Sequence, residues 1–524
     1  MGIYLNPANC AFQETLNARI YVDKSELISY TNTVFRTPQK YIFVSRPRRF
    51  GKSTAANMLA AYYGKDMDSR MLFEKLKIGQ DSSFERHLNK YHVIFLNMQD
   101  FLSRTHDIDK MIKVLEKFVL RELLKAYPDV DYWDKEDLVG SLQEIYAEYR
   151  IPFVFIIDEW DCIFREKKDN IEEQRIYLDF LRYLLKDKVY VGLAYMTGIL
   201  PIKKYGTHSA LNMFDEFSMT RSGDLAEFVG FTEDEVKTLC QRFDKDFAEI
   251  KRWYDGYLLD NGIHIYNPKS VVDAMKSKKM KSFWTNTETY EALQIYIDLN
   301  LDGLKEAIME MLAGGRCKID TGTFQNDMTS FKSKDDVLTL LVHLGYLAFD
   351  ESTESVFIPN EEVRGEFVRS IKTGGRPELI KMLQMSDQLI KDTLCMNEEK
   401  IAAAIDAVHS ADTVPIHYNN EQALRSVIRR AYISCVEDFV ELQELPAGKG
   451  YADVVYLPKR NSAMPVLLIE LKWDKTAEGA IEQIKHRNYP QALAGYGGDI
   501  LLVGINYDAK MKKHECKIEK IELE

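Results

Sequence analysis

A short apolar run, Tyr41–Val44, leads into Arg46, Pro47, Arg48, Arg49, Phe50, Gly51, Lys52, Ser53 and Thr54. The helix-favouring stretch Ala55–Ala61 follows. A strand, a glycine turn and a helix in that order make a phosphate cradle, because backbone N–H groups and the helix N-terminus point at anionic oxygens. Lys52 is placed to reach the β- and γ-phosphates, and the Ser53 hydroxyl to ligate Mg²⁺. Arg46 stands where the GxxxxGK[ST] pattern has its first glycine. Arg48 and Arg49 can face phosphate, a neighbouring subunit, or only solvent.

A second apolar run, Phe153–Ile157, closes on Asp158 and Glu159. An aspartate at the C-terminal end of a buried strand suits the Mg²⁺ shell. Glu159 suits a general base that orients and polarises attacking water. Thr197, at the end of the next apolar strand, is a candidate to hydrogen-bond the γ-phosphate or the water. These residues predict ATP as ligand and its hydrolysis as reaction.

A third set lies near the C-terminus, where Asp453 precedes Val466–Lys472. Residues two apart on a strand share a face. Glu470 and Lys472 therefore project together, beside Asp453 from the neighbouring strand, while Leu471 points away. Two carboxylates offer the hard oxygen ligands that Mg²⁺ takes, with Mn²⁺ as a substitute. A lysine beside them orients or deprotonates water, or stabilises developing charge. This D…ExK arrangement is that of metal-dependent nucleases, though an exposed charged strand face produces the same letters. Glu421, opening an upstream helix, is a candidate third metal carboxylate. Gln483 and Tyr489 follow at a spacing that can return a helix to the site.

The elements that must hold these groups can be read from the apolar pattern. Tyr41–Val44, His92–Leu96, Phe153–Ile157 and Val189–Tyr195 are continuous apolar strands with helices between them, around 108–126 and 170–187. That alternation predicts an α/β fold, with a P-loop NTPase core whose parallel sheet is covered on both faces. From about residue 231 the chain is expected to be mostly helical. Asp335–Leu344 ends at Gly345, a C-cap candidate, and a hairpin at Tyr346–Phe349 and Val356–Ile358 makes the region winged-helix-like. His343 on that helix reads as a core residue. Trp253–Tyr257 reads as a packed turn or as a wall of the nucleotide pocket. The C-terminal stretch reads as α+β. Helices are expected at Glu421–Tyr432 and Ala477–Arg487, and strands at Val436–Leu442, Tyr451–Leu457, Val466–Trp473 and Asp499–Ile505. The domains expected are an ATPase core at 1–230, a helical lid and winged-helix-like region at 231–374, a helical connector at 375–410 and a nuclease-like domain at 411–524.

Composition agrees with several packed domains. Hydrophobic residues are 46% and charged residues 29% of 524, which excludes disorder, collagen and coiled coil. Lys and Arg number 69 against 81 Asp and Glu, a net charge of −12. That sign argues against a protein that coats nucleic acid through bulk positive charge, but not against a local nucleic-acid site. The seven scattered cysteines form neither a disulfide framework nor a zinc pattern, and reduced thiols are expected. The first ten residues lack a basic segment and an apolar one, so no signal peptide is visible. The longest apolar stretch, Val189–Ile202, is too short to span a bilayer. A cytoplasmic protein with no membrane partner is expected.

Several strings carry a family resemblance: Tyr21–Ser25, Arg46–Ser53, Ile157–Asp161, Thr197–Pro201, Gly230–Val236, Trp253–Tyr257, Tyr266–Ser270, Leu344–Leu347 and Ile358–Val363. Gly450–Asp453, Ile469–Lys472 and Gln483 continue it. The chain resembles AAA-ATPase-like proteins of gut and other anaerobic bacteria that carry a C-terminal PD-(D/E)xK nuclease domain. The string RPRRFGKS is specific, and that family's loop also lacks the first glycine. The resemblance implies a P-loop ATPase core, a helical and winged-helix-like middle, and a restriction-endonuclease-like end domain. Tyr451 departs from it, since many relatives have Arg two residues before the metal Asp, a cation suited to the DNA backbone.

The expectation is an enzyme in which ATP binding or hydrolysis controls a Mg²⁺-dependent nuclease. Its substrate would be DNA, with RNA as the alternative, in defence against foreign DNA or in mobile-element biology. The competing reading is an ATP-switched signalling or scaffold protein whose end domain binds without cutting. Residues 396–524 hold more carboxylates than cations, so electrostatics alone give a weak grip on DNA. A homo-oligomer or a protein partner would supply the rest.

Overall fold

The computed structural model describes residues 2–202, 204–205, 208–209, 211–284, 290–299, 301–325, 328, 331–374, 377–411, 421–442, 446–447, 450–451, 453–459, 464–487 and 499–522. They form two compact units, Met1–Phe283 with Lys318–Pro359, and Trp284–Cys317 with Asn360–Glu524.

The first unit begins its α/β alternation at β1 (Tyr41–Ser45) and α1 (Lys52–Tyr63). It continues through β2 (His92–Asn97), α2 (Met98–Thr105), α3 (Ile108–Ala126), α4 (Leu138–Tyr149), β3 (Phe153–Asp158), α5 (Cys162–Glu166), α6 (Ile171–Leu185) and β4 (Val191–Gly198). A short β5 (Asp215–Phe217) completes a five-stranded sheet of order β2-β3-β4-β1-β5. Every adjacent pair is parallel, as the apolar runs predict. All residues of β1, β3 and β4 are buried. The helices present an apolar stripe: in α3, Met111, Leu115, Val119 and Leu123 recur every four residues and are buried, and Asp107 caps the N-terminus through the Lys110 N–H. The register sets Val44 against Thr197 and Asn97 against Asp158. The ends of β1, β3 and β4 therefore open on one crevice at the carboxyl edge of the sheet, where open α/β sheets bind ligands.

From residue 231 the expected helices are joined by strands. β6 (Phe231–Thr232), α7 (Glu233–Phe243), α8 (Phe247–Tyr254), β7 (Tyr257–Leu259), β8 (Ile263–Tyr266) and α9 (Pro268–Lys276) follow in turn. β6, β8 and β7 form a small antiparallel sheet that short, mixed-polarity runs concealed. α10 (Lys334–Leu344) carries a capping box of Ser333 and Asp336 and ends at Gly345 with φ 86°. The hairpin β9 (Ala348–Asp350) and β10 (Ser355–Phe357) follows, as expected. His343 is buried and stacks on Phe324.

In the second unit, α11 (Pro377–Leu394), α12 (Glu398–Ala411) and α13 (Glu421–Ala431) precede α14 (Cys435–Asp438). The strand expected from Val436 thus begins only at β11 (Phe439–Leu442), because residues 435–438 close a helical turn first. β12 (Val454–Pro458), β13 (Val466–Trp473), α15 (Ala477–His486), β14 (Ile500–Asp508) and β15 (Lys513–Ile521) complete a sheet of order β11-β12-β13-β14-β15. Only β13 and β14 pair in parallel. Leu467, Ile469 and Leu471 pack with Leu424, Val427 and Ile428 of α13. Val466 and Leu468 pack on the other face with Ile481 and Ile484 of α15. The period of two therefore directs Glu470 and Lys472 to the α15 face. Gly504, paired with Glu470, keeps that face shallow, since a Cβ there would lie 2.3 Å from the Ala477 carbonyl oxygen. Among the described residues no helix is long and apolar enough to cross a membrane.

Candidate functional site

In the first unit the loop after β1 reaches Gly51, whose φ of 93° is a left-handed conformation that glycine adopts without strain. No side chain caps α1. Its first-turn residues Lys52, Ser53 and Thr54 line a cavity of about 920 Å³. Lys24, Arg48, Arg49, Lys52, Arg165 and Lys269 also border it, against the carboxylates of Asp100 and Glu159. So cationic a cavity, in a chain of net charge −12, suits a polyphosphate. Phe12, Ile20, Val22, Phe228, Phe231 and Val272 wall another part and suit a flat heterocycle.

Lys52 is buried and donates to the carbonyls of Arg46 at 2.8 Å and Pro47 at 2.9 Å. Burial pushes its ammonium down, opposed by Glu159, Asp161 and Asp158. A phosphate would exchange two neutral acceptors for charged ones. Arg48 and Arg49 are exposed on the cavity rim, and Phe50 is fully buried with its ring edge-on to Tyr257.

Arg46 does not meet the expectation of a nucleotide contact. Its side chain is fully buried and turns inward, donating to the carbonyls of Ser45 at 2.9 Å and Phe217 at 3.2 Å. Its N–H donates to Gly198 at 3.1 Å. Its Nε and Nη2 are buried without a hydrogen-bond partner, Arg46 does not line the cavity, and the residue ties β1 to β4 and β5.

Asp158 is buried, and its Oδ1 accepts from the Thr197 hydroxyl and, at 3.1 Å, from the Glu159 N–H. The Thr197 hydroxyl thus serves Asp158, and Thr197 does not line the cavity. Glu159 has φ 54°, an uncommon conformation for a residue with a Cβ, and faces the cavity. Its carboxylate accepts from Arg165 at 2.5 Å. Trp253–Tyr257 is a packed turn, with Tyr257 donating to the Gly345 carbonyl at 2.6 Å, and it does not line the cavity.

In the second unit, Lys472 Nζ lies 3.2 Å from Glu470 Oε1, and Gln483 from α15 donates to the same oxygen. Both charged side chains are buried. Asp453 accepts from the Leu471 N–H at 2.9 Å, which holds it against β13 beside Glu470. Burial, then Asp453, raises the Glu470 carboxyl to about 7. Glu470 Oε2 is buried without a hydrogen-bond partner. Paired carboxylates with an unserved buried oxygen fit a divalent cation. Glu421 opens α13, but its side chain, like all of Tyr489, lies outside the described residues.

Two arginines were missed in the sequence. Arg165 stands one turn beyond Asp161, and Arg425 on α13 donates to Asp453 at 2.5 Å. The first had a signal, opposite charges four residues apart. The second had none, since its partner lies 28 residues on.

Residues 11–207 match the family described as predicted AAA-ATPase, and residues 420–517 match the PD-(D/E)XK nuclease superfamily. The chain joins an AAA-ATPase-like domain to a PD-(D/E)XK nuclease-superfamily domain. AAA-ATPase-like and nuclease-superfamily domains generally use a nucleotide and divalent metal ions. The chain is 22% identical to an uncharacterised protein in the vnfD 5′ region of Azotobacter chroococcum mcd 1, over 89% of each chain. It is also similar to the Aeropyrum pernix ORC2 protein, solved in ADPNP–ADP complexes, at 13% identity. That likeness covers 70% of this chain and 93% of the other, with a TM-score of 0.28. The strings that carried the resemblance double as walls of the cavity: Tyr21, Val22 and Lys24, then Arg48 to Thr54, Glu159, Gly230 and Phe231, and Pro268 and Lys269.

Proposed function

We propose that the chain binds and hydrolyses ATP in the cavity of its first unit, and that this controls a Mg²⁺-dependent nuclease in its second. Lys52 and the α1 N-terminus take the phosphates, Ser53 and Asp158 hold Mg²⁺, and Glu159 is the base. Asp453 and Glu470, with Glu421 as a further candidate ligand, hold the second metal, Mg²⁺ or Mn²⁺, and Lys472 serves the attacking water. The substrate is DNA, with RNA the alternative, and the setting defence or mobile elements in the bacterial cytoplasm. The observation that carries this reading is the buried Glu470–Lys472 pair beside Asp453, in a chain that also holds a cationic P-loop cavity. Calorimetry with Mn²⁺ tests it. Wild type should bind the ion, and Asp453→Asn with Glu470→Gln should abolish binding at that site. Equal binding by both would refute the metal assignment.

The scaffold reading draws on one observation. Arg425 and Gln483 already serve the two carboxylates, as they would in a domain that holds partners without cutting. Absence of Mn²⁺ binding by wild type would favour it.

A further inference from the structure

Arg165 is nearly buried, its side chain 12% exposed, and lines the cavity with Lys52, Ser53 and Glu159. Its Nη2 donates to Glu159 Oε2 at 2.5 Å, and its Nε lies 3.2 Å from Asp161 Oδ2. Asp161 is fixed, because Oδ2 also accepts from the N–H groups of Ile199 at 3.1 Å and Leu200 at 2.9 Å. Nε and Nη2 share one edge of the guanidinium, so that edge lies between two carboxylates, in an ion pair with the immobile Asp161 and a hydrogen bond with Glu159. The Glu159 side chain is 27% exposed to the cavity.

A guanidinium is planar, permanently charged and binds phosphate as readily as carboxylate. It can exchange Glu159 for a phosphate while its charge stays beside Asp161. We propose that Arg165 is a γ-phosphate-responsive positioning residue, which holds Glu159 through Nη2 until a nucleoside triphosphate draws the guanidinium to its γ-phosphate and frees the carboxylate for water. A diphosphate places no group there, so the Glu159–Arg165 pair stays closed and the base stays occupied. The inference rests on the nucleotide reading above and adds to it the discrimination of triphosphate from diphosphate.

The test is a double-mutant cycle on the full-length chain, with calorimetric affinities for ATPγS and ADP in Mg²⁺. Arg165→Ala should weaken ATPγS roughly tenfold or more and leave ADP unchanged. Glu159→Gln should tighten ATPγS several-fold, because Arg165 then leaves no charged partner, and that gain should vanish in the Glu159→Gln/Arg165→Ala chain. Arg165→Lys, which keeps the charge beside Asp161, should fall between wild type and Arg165→Ala, and serves if the alanine variant does not fold. Equal losses for ATPγS and ADP, or a Glu159→Gln gain that survives without Arg165, would overturn the proposal and leave Arg165 a structural tether. If wild type binds neither nucleotide, the nucleotide reading itself is what fails.

Discussion

Arg425 closes on Asp453 at 2.5 Å while the Leu471 N–H holds the other oxygen of the same carboxylate. The chain itself therefore occupies both oxygens of a residue expected to ligate metal. Arg425 thus sets a cation against Asp453. Removing it takes a positive charge from beside the metal position. Arg425→Ala should tighten Mn²⁺ roughly three- to tenfold by calorimetry, the modest factor of a partly exposed pair. Weaker Mn²⁺ binding would mean that the arginine supports the ligand geometry.

Glu470 makes the metal-free second unit sensitive to pH. Burial, then Asp453, lifts its carboxyl to about 7 from an ordinary 4.5. Between those values the folded chain holds a proton that the unfolded chain has released, so this group's contribution to stability falls as pH rises through that window. Glu470→Gln escapes the loss. In EDTA the variant should be more stable than wild type by on the order of 1–3 kcal/mol at pH 8, and by little near pH 4.5. Thermal melting at both pH values reads the difference. A gap that does not change with pH would contradict the raised carboxyl.

Lys52 and Glu159 separate binding from turnover. Lys52→Ala should cost most of the affinity for ATP, since an ammonium facing two phosphates has no neutral substitute. Glu159→Gln should keep nucleotide binding while slowing hydrolysis by about 10²-fold or more. Phosphate release assays check the second. Unchanged turnover would place the base elsewhere.

Arg46 is predicted to matter for stability and not for ligand. Arg46→Ala strands the carbonyls of Ser45 and Phe217 and opens a hole between β1 and β5. A loss of about 2–4 kcal/mol is expected. ATP affinity of the folded fraction should stay within about threefold, since neither the guanidinium nor the N–H faces the cavity. Loss of binding without loss of melting temperature would restore Arg46 as a phosphate ligand.

The parallel core was legible because its strands are buried on both faces and read as unbroken apolar runs, as at Phe153–Ile157. The same property made Asp158, Glu159, Glu470 and Lys472 conspicuous, as charges ending or interrupting such runs. β15 escaped notice because it alternates charged and apolar residues from Lys513 to Ile521. β5 escaped because it is three residues long. Arg46 was misjudged because a motif gives position and not side-chain direction, which here follows from the carbonyls of β5. The Arg425–Asp453 pair joins a helix to a strand, and no local spacing announces it.

The central claim is that the ATP site governs the nuclease site, and cleavage of supercoiled plasmid in Mg²⁺ tests it most directly. Rates would be compared with no nucleotide, with ADP and with ATP, with Lys472→Ala as the blank. Wild type should cut, the rate should change between ADP and ATP, and Lys52→Ala should lose that nucleotide dependence. Cleavage that survives in Lys472→Ala, or that is indifferent to nucleotide in wild type, would contradict it.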